Sequence, residues 1–213
     1  MKVLRKKGTS LVVLFGPPGS GKGLHAAELA RRLNLKLLTA AAAMRERGSK
    51  EEDAESEEFG AVMEERLDKE LRAGTGVVLV NYPKTSVQAS RLAELARNSG
   101  LERCIAVVLT TPVDETIDRI SGRRVCQKCG TEYHMRWKTP PTACSKCRGA
   151  VIQRDEDREE VVRSRFERYR AELDEMLDEM REFRVVEVNG VGAVPDVKVR
   201  IYNAVRGTWE GHR

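Results

Sequence analysis

Leu11-Val12-Val13-Leu14-Phe15 is an unbroken apolar run of strand length; residues 77–80 and 105–109 repeat the pattern, and Val185 to Val188 is a fourth candidate strand, interrupted by Glu187. A strand covered on one face alternates apolar with polar; unbroken runs belong to strands covered on both faces, as in a parallel sheet. Leu35-Lys36-Leu37-Leu38 is a shorter fifth candidate. Between the runs the spacing becomes helical. Ala26, Leu29, Ala30 and Leu33 fall on one face, and residues 59–71, 87–98 and 113–120 read as further helices. Strands alternating with helices predict an α/β fold with a parallel sheet and flanking helices.

Two segments break the alternation. Residues 45–58 are polar and acidic, with Glu51-Glu52-Asp53 and Glu57-Glu58, and read as a solvated, mobile stretch. Residues 123–153 carry Pro140-Pro141 and most of the cysteines without any sheet-core signature, and read as an insert on the α/β core. Beyond it Val162, Phe166, Tyr169, Leu173, Met176 and Met180 recur at steps of 4 and 3. That is a long amphipathic helix docked on its own core, since a coiled coil needs about three to four heptads.

Composition adds limits. The 213 residues are 40% hydrophobic but only 5% aromatic, so the core is aliphatic. The net charge of +5 suits an anionic partner such as a nucleotide without requiring nucleic acid. No apolar run approaches the ~20 residues of a membrane span. The basic start, residues 1–7, resembles a signal n-region, yet the run 11–15 is too short for an h-region and Gly16-Pro17-Pro18 ends it. A soluble, cytoplasmic protein without a membrane partner is expected.

Gly16-Pro17-Pro18-Gly19-Ser20-Gly21-Lys22 fits G-x-x-x-x-G-K between a buried strand and a helix, the context that gives this motif its meaning. Glycines let successive N–H groups curl toward phosphate oxygens, the helix N-terminus adds partial positive charge, and Lys22 supplies a full one. The usual Ser or Thr after the lysine is absent; Gly23 and Leu24 follow.

Cys126-x2-Cys129, then 14 residues, then Cys144-x2-Cys147 reads as a four-cysteine zinc site. Gly130 and Gly149 follow the two pairs and are expected to supply positive-φ knuckle turns. Four thiolates fill a tetrahedral shell, so the metal would be structural. The fifth cysteine, Cys104, reads as core rather than reactive.

The phosphate loop through Gly23 resembles the adenylate kinase form. The flanks of the cysteines extend the likeness: Arg119-x3-Arg123-Arg124-Val125, Tyr133-His134, Pro140-Pro141, Arg154-Asp155-Glu156-Asp157, Arg165 and Tyr169 resemble the zinc-bearing lid of the long-form enzymes. Val188-Asn189-Gly190-Val191-Gly192 is similar to the loop that meets the adenine ring. The resemblance spans Leu11 to about Val205. It implies a P-loop NTPase core (1–38, 77–122, 158–213), a shortened monophosphate-binding flap (39–76) and a zinc-ribbon-like lid (123–157). It also implies reversible transfer of the ATP γ-phosphate to AMP, with Mg²⁺. On the donor side it implies contacts from Gly16 through Leu24, Arg119, Arg123, Glu132, Tyr133 and Gly192. Lys22, Arg123, Arg154 and Arg165 would carry catalysis. On the acceptor side it implies Ala41, Tyr82, Lys84 and Gln88, with Arg154 and Arg165. A monomer is expected by the same analogy.

The acceptor side departs from the family. Its Ser-Thr-Gly-Asp-Met stretch is Ala40-Ala41-Ala42-Ala43-Met44 here, and Glu46 falls where an AMP-binding arginine would stand. Its Asp-Gly-Phe-Pro-Arg-Thr is Val80-Asn81-Tyr82-Pro83-Lys84-Thr85, so Val80 drops a carboxylate near magnesium and Lys84 drops a guanidinium fork. Other readings are a kinase with another small acceptor, a nucleotide binder without turnover, and a zinc-ribbon nucleic-acid binder using Lys128, Arg136, Lys138, Lys146 and Arg148. The last lacks an aromatic platform. His25 reads as surface, His134 as approaching the donor, Trp137 as lid packing and His212 as a frayed tail.

Overall fold

A computed structural model describes residues 9–48, 51–101, 103–136 and 139–210; Trp137, Lys138 and His212 lie outside them. The elements run β1 (Ser10–Phe15), α1 (Lys22–Leu33), β2 (Lys36–Thr39), α2 (Ala40–Arg47), α3 (Glu57–Arg72), β3 (Val77–Val80), α4 (Ser86–Asn98), β4 (Arg103–Thr110) and α5 (Val113–Ser121). There follow β5 (Arg123–Cys126), β6 (Glu132–His134), β7 (Val151–Ile152), α6 (Glu159–Glu179), β8 (Arg184–Asn189) and α7 (Val194–Glu210).

The main sheet has five strands in the order β2-β3-β1-β4-β8, all neighbours parallel. Successive side chains of a strand leave by opposite faces, and both faces of β1, β3 and β4 are covered, whereas the edge strand β8 leaves Val185 44% exposed. Leu11, Val13 and Phe15 join Phe59, Met63 and Leu67 of α3, Leu92 of α4 and Met176 of α6. Val12 and Leu14 join Ala26 and Leu29 of α1 and Val197, Ile201 and Val205 of α7. Two buried faces account for the unbroken apolar runs. Hydroxyl caps start the helices: Thr39 Oγ1 accepts from Ala42 N, Ser56 Oγ from Phe59 N and Thr85 Oγ1 from Gln88 N.

The chain divides into two compact units. One takes in the described residues up to Gly16, then Gly21–Thr110, then those from Ala171 onward; the other is Pro17–Ser20 with Thr111–Arg170. The second unit contains a three-stranded antiparallel sheet, β6-β5-β7. Its strands are two to four residues long, too short for periodicity to reveal. No helix among the described residues is long and apolar enough to cross a membrane.

The acidic stretch is more ordered than its charge suggested. Residues 51–55 form a 3-10 turn, Ala54 is 1% exposed, and the Gln88 amide donates to Ala54 O (3.0 Å) and Ser56 O (3.2 Å). The reason is that the buried Ala54 carbonyl needs a donor, which Gln88 supplies. His25 is 4% exposed rather than on the surface; its ring lies beside Gly21, where a Cβ would come within 3.0 Å of Nε2.

Candidate active site and metal centre

The phosphate loop bridges β1 and α1. Gly19 (φ +73°) and Gly21 (φ +81°) adopt the left-handed backbone that L side chains avoid. A Cβ on Gly19 would also meet Ile120 Cγ1 at 2.8 Å. The loop closes on itself through Ser20 N to Pro17 O (3.2 Å), and Lys22 Nζ donates to Gly16 O at 2.5 Å. Leu24 is 53% exposed on the first turn of α1, and Val80 is buried at the end of β3. Neither offers an oxygen to a metal ion.

Asn189 ends β8, and residues 190–192 follow it. Asn189 Oδ1 accepts from Val191 N (2.8 Å), and Gly190 N donates to Thr110 O (2.8 Å). Arg200 of α7 pins this loop, Nη2 to Val191 O at 2.6 Å and Nη1 to Asn189 O. Gly192 (φ +115°) leaves room for that guanidinium: a Cβ would stand 3.0 Å from Nη2.

The four Sγ atoms of Cys126, Cys129, Cys144 and Cys147 lie within 4.8 Å of one another. Cys126 and Cys147 are 3.4 Å apart, Cys129 and Cys144 3.6 Å. Four sulfurs around one zinc at ~2.3 Å would be spaced by about 3.8 Å, so the cluster fits a four-thiolate centre with little adjustment. Matching knuckle turns present the thiols: Gly130 N donates to Cys126 O and Arg148 N to Cys144 O, each at 2.9 Å. The positive φ of the second knuckle falls on Arg148 (+61°), not on Gly149. Gly149 is small for another reason; a Cβ there would meet Lys128 Cβ at 2.7 Å and Cys126 Sγ at 3.0 Å. Tyr133 stands behind the site. Its hydroxyl donates to Cys144 Sγ (3.2 Å) and accepts from Ser145 N (2.9 Å). That donation holds the Cys144 thiol below its usual range, while the crowding of neighbouring thiols pushes Cys147 up.

The lid arginines are organised around Asp157, which is completely buried. Arg123 reaches it with both prongs, Nε to Oδ2 at 3.0 Å and Nη2 to Oδ1 at 2.6 Å, and Arg154 Nε stands 3.4 Å from Oδ2. Glu132 Oε1 lies 3.7 Å from Arg123 Nη1. Arg119 pairs with Glu115 at 2.7 Å. Arg165 is half-buried on the first half of α6. His134 braces β6 against α5: its Nδ1 accepts from Arg136 N (3.0 Å), so the proton is assigned to Nε2, which meets Arg119 O at 2.9 Å. Arg124 and Gln153 both donate to Ser121 O, at 2.7 and 3.0 Å. Arg136 is spent on Glu115 and Asp118, which removes charge from the nucleic-acid reading.

Ala41 is half-buried in α2. Tyr82 is 1% exposed and its hydroxyl donates to Glu64 Oε1 at 3.1 Å. Gln88 spends both amide hydrogens on Ala54 and Ser56, and its Oε1 accepts from Lys84 N at 2.9 Å. Glu46 pairs with Arg66 of α3 at 2.8 Å.

Two family profiles match the chain: one described as AAA domain over residues 11–137, and one described as Adenylate kinase, active site lid, over residues 123–155. The adenylate kinase of Acetivibrio thermocellus is 30% identical over 92% of this chain and 98% of that one. The chain belongs to the adenylate kinase family. That of Thermococcus onnurineus is 30% identical, covering 89% of this chain and 91% of its own. That of Methanothrix thermoacetophila is 32% identical over 87% and 94%. The chain is therefore a phosphotransferase of this family, an α/β P-loop kinase whose lid carries a four-cysteine cluster consistent with structural zinc.

Sequence reasoning missed Arg200, Arg66 and Gln153 as well as the anchoring part played by Asp157. Asp157 had a legible signal, its place three residues after Arg154. The others reveal themselves only when the carbonyls and carboxylates they reach are brought near by folding.

Proposed function

We propose that this kinase transfers the γ-phosphoryl group of ATP to AMP, reversibly giving two ADP, with a donor side close to the family pattern and a remodelled acceptor side. The observation that carries the reading is the strand–loop–helix phosphate cradle, with Gly19 and Gly21 in left-handed conformation and Lys22 opening α1. A phosphate oxygen of the acceptor attacks the γ-phosphorus, the bond to the β–γ bridging oxygen breaks, and ADP leaves. Little covalent work falls to the protein; its part is positioning and charge. In this reading residues 16–24 wrap the donor phosphates, the 189–192 loop pinned by Arg200 meets the base, and Arg119 and Arg123 grip the donor. Arg154 and Arg165 meet the transferring group. The flap is residues 39–76 and the lid residues 123–157. Zinc on the four cysteines would crosslink the two knuckles and hold β5 in place, with no part in the chemistry. The chain gives magnesium no oxygen at Leu24 or Val80, so that ion would come with the nucleotide, held by phosphate oxygens.

A second reading, another small acceptor in place of AMP, is favoured by one feature: both amide hydrogens of Gln88 are engaged within the flap. One assay separates the two. ADP formed from ATP is measured with a panel of nucleoside monophosphates and with no acceptor, in the unaltered protein and in Lys22→Ala. AMP-dependent ADP that vanishes in the variant supports the first reading; ADP formed with another monophosphate but not with AMP supports the second. Unchanged turnover in the variant would remove the phosphate-loop assignment from both.

A further inference from the structure

A cavity of about 380 Å³ opens at the amino-terminal ends of β4 and β8. The phosphate loop follows the carboxyl end of β1, which runs parallel to β4, so the cavity faces the opposite end of the sheet from Gly16. Its size falls within the ~300–1,000 Å³ of small-molecule sites.

The lining combines two chemistries. Arg97, Arg103, Arg181 and Arg184 contribute four guanidinium groups against the single carboxylate of Glu182. Arg97 is paired with Glu182 at 2.7 Å, and Arg103 lies over the ring of Trp209 at 5.7 Å. Arg181 and Arg184 have no ion-pair partner among the described residues and are both exposed at the mouth. Phe183 and Ile105 are buried beneath, and Trp209 forms one wall. The Trp209 indole nitrogen is buried with no hydrogen-bond partner among the described residues. Cys104 also lines the space; burial pushes its thiol up to about 12, which makes it a neutral wall rather than a nucleophile.

We propose that this cavity is a second ligand site that takes an aromatic phosphate ester, with the ring against Trp209 and the phosphate held by Arg181 and Arg184. Charge decides for phosphate over carboxylate. Two unpaired guanidiniums match a phosphate monoester, which carries about −1.5 to −2 at neutral pH, and would be left half-matched by a carboxylate. The apolar floor and the indole decide for a flat ring over a bare anion.

The test reads Trp209 directly. The sequence holds two tryptophans, so Trp137→Phe leaves Trp209 as the only indole. Phenyl phosphate should change its fluorescence saturably, with a Kd of about 1 mM or tighter. Inorganic phosphate and benzoate, each carrying half of the recognised chemistry, should bind at least about tenfold more weakly. Replacing Arg181→Gln together with Arg184→Gln should weaken phenyl phosphate by at least about tenfold. Thermal midpoint and ATP-dependent turnover should stay unchanged in that variant, since both side chains are exposed. The proposal is overturned by the absence of a saturable response, by equal binding of inorganic phosphate, or by a response that survives the double replacement in a folded protein.

Discussion

Arg123 and Asp157 form a two-pronged ion pair in which the carboxylate is wholly buried, at 3.0 and 2.6 Å. Arg154 leans on the same carboxylate at 3.4 Å. One buried anion thus orients two arginines that the proposed reaction needs at the transferring phosphate. An Asp157→Asn variant keeps the shape and one acceptor oxygen but loses the charge. It should lower kcat by about 10- to 100-fold, because misplaced charge near the reacting atoms is costly. Stability should fall as well, by about 1–3 kcal/mol, since half-buried Arg123 keeps only the exposed carboxylate of Glu132 at 3.7 Å. Steady-state kinetics and thermal unfolding check both parts; a loss of stability with unchanged kcat would make the pair purely architectural.

The Tyr133 hydroxyl is engaged at Cys144 and Ser145. Tyr133→Phe should weaken zinc binding by about tenfold or more, as outer partners of metal ligands commonly do. Chelator competition at fixed pH reads the change. Chelation itself, or Cys129→Ser, should lower the thermal midpoint while the parallel sheet stays folded, because β1, β3, β4 and β8 bury their own core. Protein purified without chelator that contains no zinc would overturn the metal assignment.

Gln88 holds the backbone at Ala54 and Ser56 rather than pointing an unused amide outward. Gln88→Ala would leave the Ala54 and Ser56 carbonyls and the Lys84 N–H without their partner. Each such group costs about 1–3 kcal/mol when buried. Hydrogen exchange in residues 51–60 should speed up markedly, with the exchange of β1 and β4 unaffected. Unchanged exchange across 51–60 would show that the 3-10 turn holds itself.

What the sequence made legible follows from periodicity. Residues 77–80 and 105–109 could be read as buried strands because both sheet faces are covered, which leaves no polar alternation to confuse. Helix α2 was not legible: Ala40 to Ala43 are four alanines in a row, with no contrast between the buried and half-exposed positions. Helix α7 does carry a signal, Val197, Ile201 and Val205 at steps of four after Pro195. The cysteine cluster was legible because its ligands come in local pairs. The order of residues 51–67 was not, because the contacts that hold it, Gln88 to Ala54 and Tyr82 to Glu64, join residues 34 and 18 positions apart.

The acceptor side yields the sharpest expectation. Glu46 stands where the family resemblance places an arginine, and the structure pairs it with Arg66 at 2.8 Å. The repulsion that an isolated Glu46 would exert on a phosphate is therefore largely cancelled, while the attraction of Arg66 is spent. Exposed pairs of this kind contribute about 0–1 kcal/mol, so an incoming anion can compete for Arg66 at small cost. Unaltered protein should bind AMP more weakly than ATP. Glu46→Gln should strengthen AMP binding several-fold by releasing Arg66, and adding Lys84→Arg should strengthen it further by restoring a two-pronged phosphate contact. Glu46→Arg is the instructive contrast: it sets a second cation against Arg66, so flap stability should fall even as AMP binding rises. Calorimetry with AMP and a coupled assay on these variants provide the check. If Glu46→Gln leaves AMP affinity unchanged while Arg45→Ala or Arg47→Ala abolishes it, the acceptor phosphate lies on the other side of α2 and Arg66 has no part in holding it.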